Sequence, residues 1–171
     1  ARQLGADPEL NKRKMGASFL AQNGGKQSLT LNLKKAEGKE VLFRLVKSAD
    51  VLIENFRPGV MNRLGVGYDV LKEINPRLVY CAISGFGQEG PMKFAPAYDQ
   101  IVQGLSGVMS ITGSEETAPL RVGYPVADTI GGITAAFAVS SALVRQARTG
   151  EGEFIDVSML DSTVVTMGWV V

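Results

Sequence analysis

Histidine is absent from the 171 residues. That absence excludes Ser-His-Asp and Cys-His nucleophile pairs and removes the commonest general base and metal ligand. The single cysteine, Cys81, excludes an internal disulfide framework and any thiolate cluster built from this chain alone. Set in an apolar run, it reads as an inert core residue. Arg, Asp, Gly and Pro interrupt the apolar runs before any reaches the ~18 residues that span a bilayer, so no membrane partner is expected. No signal peptide or lipidation motif opens the chain, which sets a cytoplasmic expectation. Basic residues do not interleave with aromatics, which argues against a nucleic-acid partner. No three or four ligands cluster at metal-binding spacing, so no metal is expected. Neither a GxGxxG following a strand nor a GxxxxGK[ST] loop occurs.

What remains is the composition of an ordinary globular domain, with 45% hydrophobic residues, 20% charged residues and a net charge of +1. The charge is uneven. Residues 1–80 carry 14 Lys and Arg against 8 Asp and Glu, whereas residues 81–171 carry 4 against 9. A basic half suits an anionic ligand, phosphates above all, and equally suits solvated helix faces.

Residues 1–27 are polar, with the turn signal Asn23-Gly24-Gly25, and read as an N-terminal loop segment ahead of a domain over 28–171. Ser28–Leu33 alternates polar and apolar at strand period. Ala36–Lys47 places apolar residues on one face at helical spacing. Strands are expected at 50–54, 78–83 and 154–158, and helices at 60–64, 68–74, 98–109 and 128–148 and from Met159 onward. This alternation implies an α/β fold with an open, mostly parallel sheet. The apolar ending Thr163–Val171 suggests a piece of a longer protein or a surface that a partner covers.

In open α/β sheets ligands bind beyond the carboxyl ends of the strands. Three loops here leave such ends: Leu33-Lys34-Lys35, Asn55-Phe56-Arg57-Pro58-Gly59 with Arg63 just beyond, and Ser84-Gly85-Phe86-Gly87. Together they offer cations for phosphates, an aromatic face for a base and glycines for close approach, which suits a nucleotide-like ligand. Asp128 stands with no other charge between Arg121 and Arg145. It reads either as a helix N-cap or as a partly desolvated carboxylate at a positive helix end, with Gly131 and Gly132 one turn on leaving room for an acyl group. Asp99, after Pro96-Ala97-Tyr98, is a second candidate cap.

Ala49-Asp50-Val51-Leu52-Ile53-Glu54-Asn55-Phe56-Arg57-Pro58-Gly59, Leu64-Gly65, Ile74-Asn75-Pro76-Arg77-Leu78-Val79-Tyr80 and Ser84-Gly85-Phe86-Gly87-Gln88-Glu89-Gly90-Pro91 together resemble the class III CoA-transferase family, which also contains the α-methylacyl-CoA racemases. The resemblance runs from about Phe19 to the end. It implies a Rossmann-like large domain, here incomplete and without the second domain, and an interlocked homodimer. It implies coenzyme A, as an acyl-CoA, and a small carboxylic acid as substrates. By position it implies CoA contacts at Leu31, Asn32, Leu33 and Lys34, at Asn55, Phe56 and Arg57, and at Arg63, with Tyr98 and Asp99 at the thioester end. It makes Asp128 the catalytic nucleophile of an acyl-CoA:carboxylate CoA-transferase, working through an aspartyl anhydride and an aspartyl-CoA thioester. The racemases carry a His-Asp pair where this chain has Tyr98-Asp99, and a tyrosine is a poor base at neutral pH. Racemisation is therefore disfavoured, and a non-catalytic CoA-binding fragment is the remaining alternative.

Overall fold

The computed structural model describes residues 2–169. The chain divides into two compact units, residues 1–31 and residues 32–171.

The first unit holds two short helices, α1 (Pro8–Lys12) and α2 (Ala17–Gln22), where the sequence suggested loop. Asp7 starts α1: its Oδ1 accepts from the backbone N–H of Glu9 at 2.9 Å and of Leu10 at 3.1 Å, and Pro8 follows at the first helical position. Each helix is under two turns long, too short for an apolar period to show. The expected strand at 28–33 is absent. Period-two patterning makes a strand only where another strand supplies the ladder, and the described sheet pairs none with this segment.

The second unit is built on a three-stranded parallel sheet, ordered β1 (Val51–Glu54), β2 (Val79–Ser84), β3 (Phe154–Ser158). Helices α3 (Ala36–Val46), α4 (Val60–Arg63) and α5 (Tyr68–Ile74) flank β1 in the sequence. Helix α6 (Asp99–Ser106), a 3-10 turn (Val108–Ile111) and the long α7 (Val126–Thr149) lie between β2 and β3, and α8 (Met159–Val165) follows. All three strands run the same way, so their carboxyl ends share one edge.

Central β2 is buried on both faces, as parallel strands are. Its alternation sorts two cores. Tyr80 and Ala82 join Val46, Met61, Val66, Leu71 and Leu78 beneath α3, α4 and α5. Cys81 faces the other way, onto Ala135 of α7 and Val157 of β3. A third cluster, Val102, Ala127 and Met159, ties α6, α7 and α8 together. Gly152 is required by packing: a Cβ there would collide with the Leu78 carbonyl oxygen. Gly150, at φ 78°, closes α7 in the left-handed conformation.

Two expectations are corrected along α7. It begins at Val126 rather than Asp128. It is also long and apolar enough to cross a membrane by length and composition, with an 18-residue window of mean hydropathy 1.4. Thr, Ser, Gly and Ala spread over 129–144 do not break the run once the segment is helical. Among the described residues, α8 ends the regular structure at Val165, and Trp169 is fully exposed. Val170 and Val171, part of the apolar ending, lie outside the described residues.

Candidate functional site

The loop after β1 is fastened to the end of β2. Asn55 donates through Nδ2 to the Ile83 carbonyl at 2.7 Å, and the Phe56 N–H donates to Glu54 Oε2 at 2.6 Å. Glu54 is half-buried, and desolvation raises its pKa against the opposing effect of that hydrogen bond. Gly59, at φ 79°, turns the chain into α4. A Cβ there would lie 3.2 Å from Nη1 of Arg63, which places that guanidinium beside the loop.

The loop after β2 closes over the same edge. Gly85 allows this, since a Cβ on it would collide with the Cβ of Ala97. Between these loops lies a cleft of about 340 Å³. Asn55, Phe56 and Arg57 line it from one side, Tyr98 and Asp99 from another, and Asp128 opens onto it from α7. Six of the residues singled out from the sequence therefore meet in one cavity, though they span 74 positions of the chain. Lys93 also lines it and was missed. It is the only cation between Arg77 and Arg121, in the glycine-rich loop, and that isolation was a usable signal.

The remaining predicted residues are not in this cleft. Asn32, Leu33 and Lys34 form a turn leading into α3: Asn32 Oδ1 accepts from the Lys34 N–H at 3.1 Å, and Leu33 packs on the core beneath α3. Leu31 belongs to the first unit.

The N-terminus of α7 departs from the expected N-cap at Asp128. Pro125 holds the cap position and supplies no side-chain hydrogen bond. The capping oxygen comes from another helix. Asp99 Oδ1 accepts from the backbone N–H groups of Ala127, at 2.9 Å, and Asp128, at 3.2 Å. Asp99 Oδ2 accepts from Gln103 Nε2 at 2.6 Å. Asp99 is thus a cap, as one sequence reading had it, but for α7 and not for its own helix. Buried at the cleft wall, it has both carboxylate oxygens engaged within the protein.

Among the described residues no donor engages the Asp128 carboxylate, which stands on the first turn of α7, exposed at the cleft mouth. Desolvation first, and the neighbouring Asp99 carboxylate second, hold its pKa above the ordinary value. Of the two glycines expected to leave room for an acyl group, Gly131 packs against α8 and Gly132 stands open. A Cβ on Gly131 would meet Met159 Cγ at 3.1 Å, so its smallness serves that packing. Cys81 lies in the core, its thiol pushed up to about 11, mainly by burial. Among the described residues no three His, Cys, Asp or Glu groups come together as a metal site.

The cleft therefore presents two cations, Arg57 and Lys93, two aromatic faces, Phe56 and Tyr98, and one unengaged carboxylate, Asp128, on a helix N-terminal turn. This set can hold an anionic ligand and attack an electrophilic carbon.

Comparison with known proteins gives a consistent result. The family model described as CoA-transferase family III matches residues 1–171. An acetyl-CoA:oxalate CoA-transferase from Acetobacter aceti is 48% identical over 158 residues, 92% of this chain and 40% of the relative. A succinate–glutarate CoA-transferase from Agrobacterium fabrum is 46% identical, over 85% of this chain and 36% of its own length. The crystal structure of a CAIB/BAIF family protein from Brucella suis superposes with a TM-score of 0.86 at 41% identity, covering 90% of this chain and 40% of that one. The chain thus spans about 40% of the length of such relatives.

Proposed function

Since the chain belongs to CoA-transferase family III, we propose that it carries the nucleophile and part of the CoA site of an acyl-CoA:carboxylate CoA-transferase. The observation that carries this reading is Asp128. Among the described residues it is the carboxylate of the cleft whose oxygens no protein donor engages, and it shares that cleft with Arg57 and Lys93.

The chemistry follows from a carboxylate at this position. An Asp128 oxygen attacks the thioester carbonyl carbon, the C–S bond breaks, and CoA leaves as the thiolate. A mixed aspartyl anhydride remains. The thiolate then attacks the aspartyl carbonyl carbon, releasing the donor acid as its carboxylate and leaving an aspartyl-CoA thioester. The acceptor carboxylate attacks that thioester, and thiolate return regenerates Asp128 and yields the acceptor's CoA ester. Every step exchanges one acyl bond for another and needs no proton base, which suits a chain without histidine.

The raised pKa of Asp128 makes its ionised carboxylate somewhat more basic than an ordinary one, which favours nucleophilic attack. Arg57 and Lys93 suit the phosphates of CoA and the charge of the acceptor. The amides of Ala127 and Asp128 donate to Asp99, so they do not supply the oxyanion hole. Acetyl-CoA with oxalate and succinyl-CoA with glutarate are the substrate pairs to try, because similar proteins carry those names.

The test uses the protein as encoded in full. Incubation with each donor and hydroxylamine places a hydroxamate on Asp128, and Asp128→Ala abolishes both adduct and transfer. Undiminished transfer by Asp128→Ala refutes the proposal, as does a wild type that transfers CoA between neither pair.

A further inference from the structure

Gln103 was not marked by its sequence context, yet it is fully buried, at 0% exposure, within a shell of polar partners. It lies on α6, four residues after Asp99, so the two side chains share one helix face. Its Nε2 donates to Asp99 Oδ2 at 2.6 Å and, more distantly, to the Tyr124 carbonyl at 3.4 Å. Its Oε1 accepts from the Val122 N–H at 2.8 Å. The amide thus uses both its donor and its acceptor ends.

These partners flank the start of α7. Val122 and Tyr124 belong to the segment that runs into the helix, and Gln103 holds them directly. Ala127 and Asp128 form the first turn, and Gln103 holds them through Asp99. One side chain therefore fixes the helix start from both directions. An apolar replacement leaves a backbone donor and a carboxylate oxygen buried without partners, and a carboxylate replacement sets like charges face to face.

We infer that Gln103 is a positioning residue for Asp128: by orienting the Asp99 cap and the 122–124 segment together, it sets where the Asp128 carboxylate stands in the cleft. The inference rests on the transferase reading above. Gln103 does not line the cleft, so it acts on the rate of attack and not on the binding of CoA.

The test compares Gln103→Met with Val46→Ala in the protein as encoded in full, using acetyl-CoA and oxalate. Val46 ends α3, is buried in the core on the sheet face opposite α7, and controls for lost stability. Gln103→Met lowers kcat by about tenfold or more while KM for acetyl-CoA stays within about twofold, because small misplacements of a nucleophile are costly in rate. Hydrogen exchange of the Ala127 and Asp128 amides also quickens. Val46→Ala loses comparable thermal stability and keeps its kcat. A kcat loss no larger than the control's overturns the inference, and so does a loss carried by KM or unchanged exchange at Ala127 and Asp128.

If Gln103→Met does not fold, Gln103→Glu replaces it. The introduced carboxyl faces Asp99 on α6, and the 122–124 segment contributes backbone. The activity of this variant relative to wild type recovers as the pH falls and the introduced carboxyl takes up a proton; a pH-independent ratio overturns the inference. A wild type that binds these CoA esters yet exchanges neither acetyl-CoA with oxalate nor succinyl-CoA with glutarate refutes the transferase reading itself. A wild type that exchanges CoA alongside a fully active Gln103→Met refutes only the role of Gln103.

Discussion

Replacing Asp99 by Asn tests whether the start of α7 is held from outside its own helix. The buried carboxylate accepts three hydrogen bonds, at 2.6, 2.9 and 3.2 Å. Asn keeps one acceptor oxygen for the amides of Ala127 and Asp128, but its amide end turns a donor toward Gln103 Nε2, which is itself a donor. Hydrogen bonds to a charged group contribute about 1.5–3 kcal/mol each, against about 0.5–1.5 for neutral ones. Weakening two and losing the third therefore costs about 3.5–6 kcal/mol. At about 2–4 °C per kcal/mol for a chain of this size, the midpoint falls by about 7–24 °C. Thermal unfolding followed by circular dichroism measures the shift. A second readout fixes the sign of the electrostatics. Asp128 acts ionised, so its activity rises with pH through its raised pKa. Desolvation is the larger cause of that rise and Asp99 the smaller. Removing the Asp99 charge moves the acidic limb of the kcat/KM profile to lower pH without returning it to the ordinary carboxylate range. A midpoint shift under about 2 °C, or an acidic limb that moves upward, refutes the cap argument.

Gly85→Ala drives a methyl group into the side chain of Ala97 and displaces the loop that leads through Tyr98 into α6. Binding of CoA weakens by about tenfold, as measured by calorimetry, and an unchanged Kd contradicts the closure described for that loop. Cys81 stays unreactive toward a thiol-specific disulfide reagent at pH 8 in the folded protein, because burial holds its thiol at about 11, and it reacts promptly once urea unfolds the chain. Rapid labelling of the native protein contradicts its placement in the core.

Much of the site was legible in the sequence because its parts are local. The Asn55-Phe56-Arg57 loop and the Ser84-Gly85 turn each follow a short β-branched or apolar run, so their place at strand carboxyl ends could be read without knowing the sheet order. Asp128 stood out by its isolation from other charges. The helix cap could not be read the same way. A cap search looks to the residue just before the helix, where Pro125 stands, whereas the capping oxygen comes from Asp99, 28 residues upstream. Gln103 was invisible for a related reason: a glutamine on a helix is ordinary surface chemistry until three partners surround it. The misread strand at 28–33 shows the converse, since a local pattern was present but no ladder joined it among the described strands.

The sequence by itself determined the order of strands and helices from α3 onward, the parallel character of the sheet, the family, and the residue types able to bind an anion and attack a carbonyl carbon. Those properties depend on side-chain period, turn chemistry and composition, which act over a few residues. Only the tertiary structure decided which of the candidates meet, that Asp99 is engaged within the protein while no donor among the described residues engages Asp128, and that Gly131 packs closely against Met159. Those outcomes depend on burial and on hydrogen bonds between residues distant in the chain, and only folding brings such partners within reach.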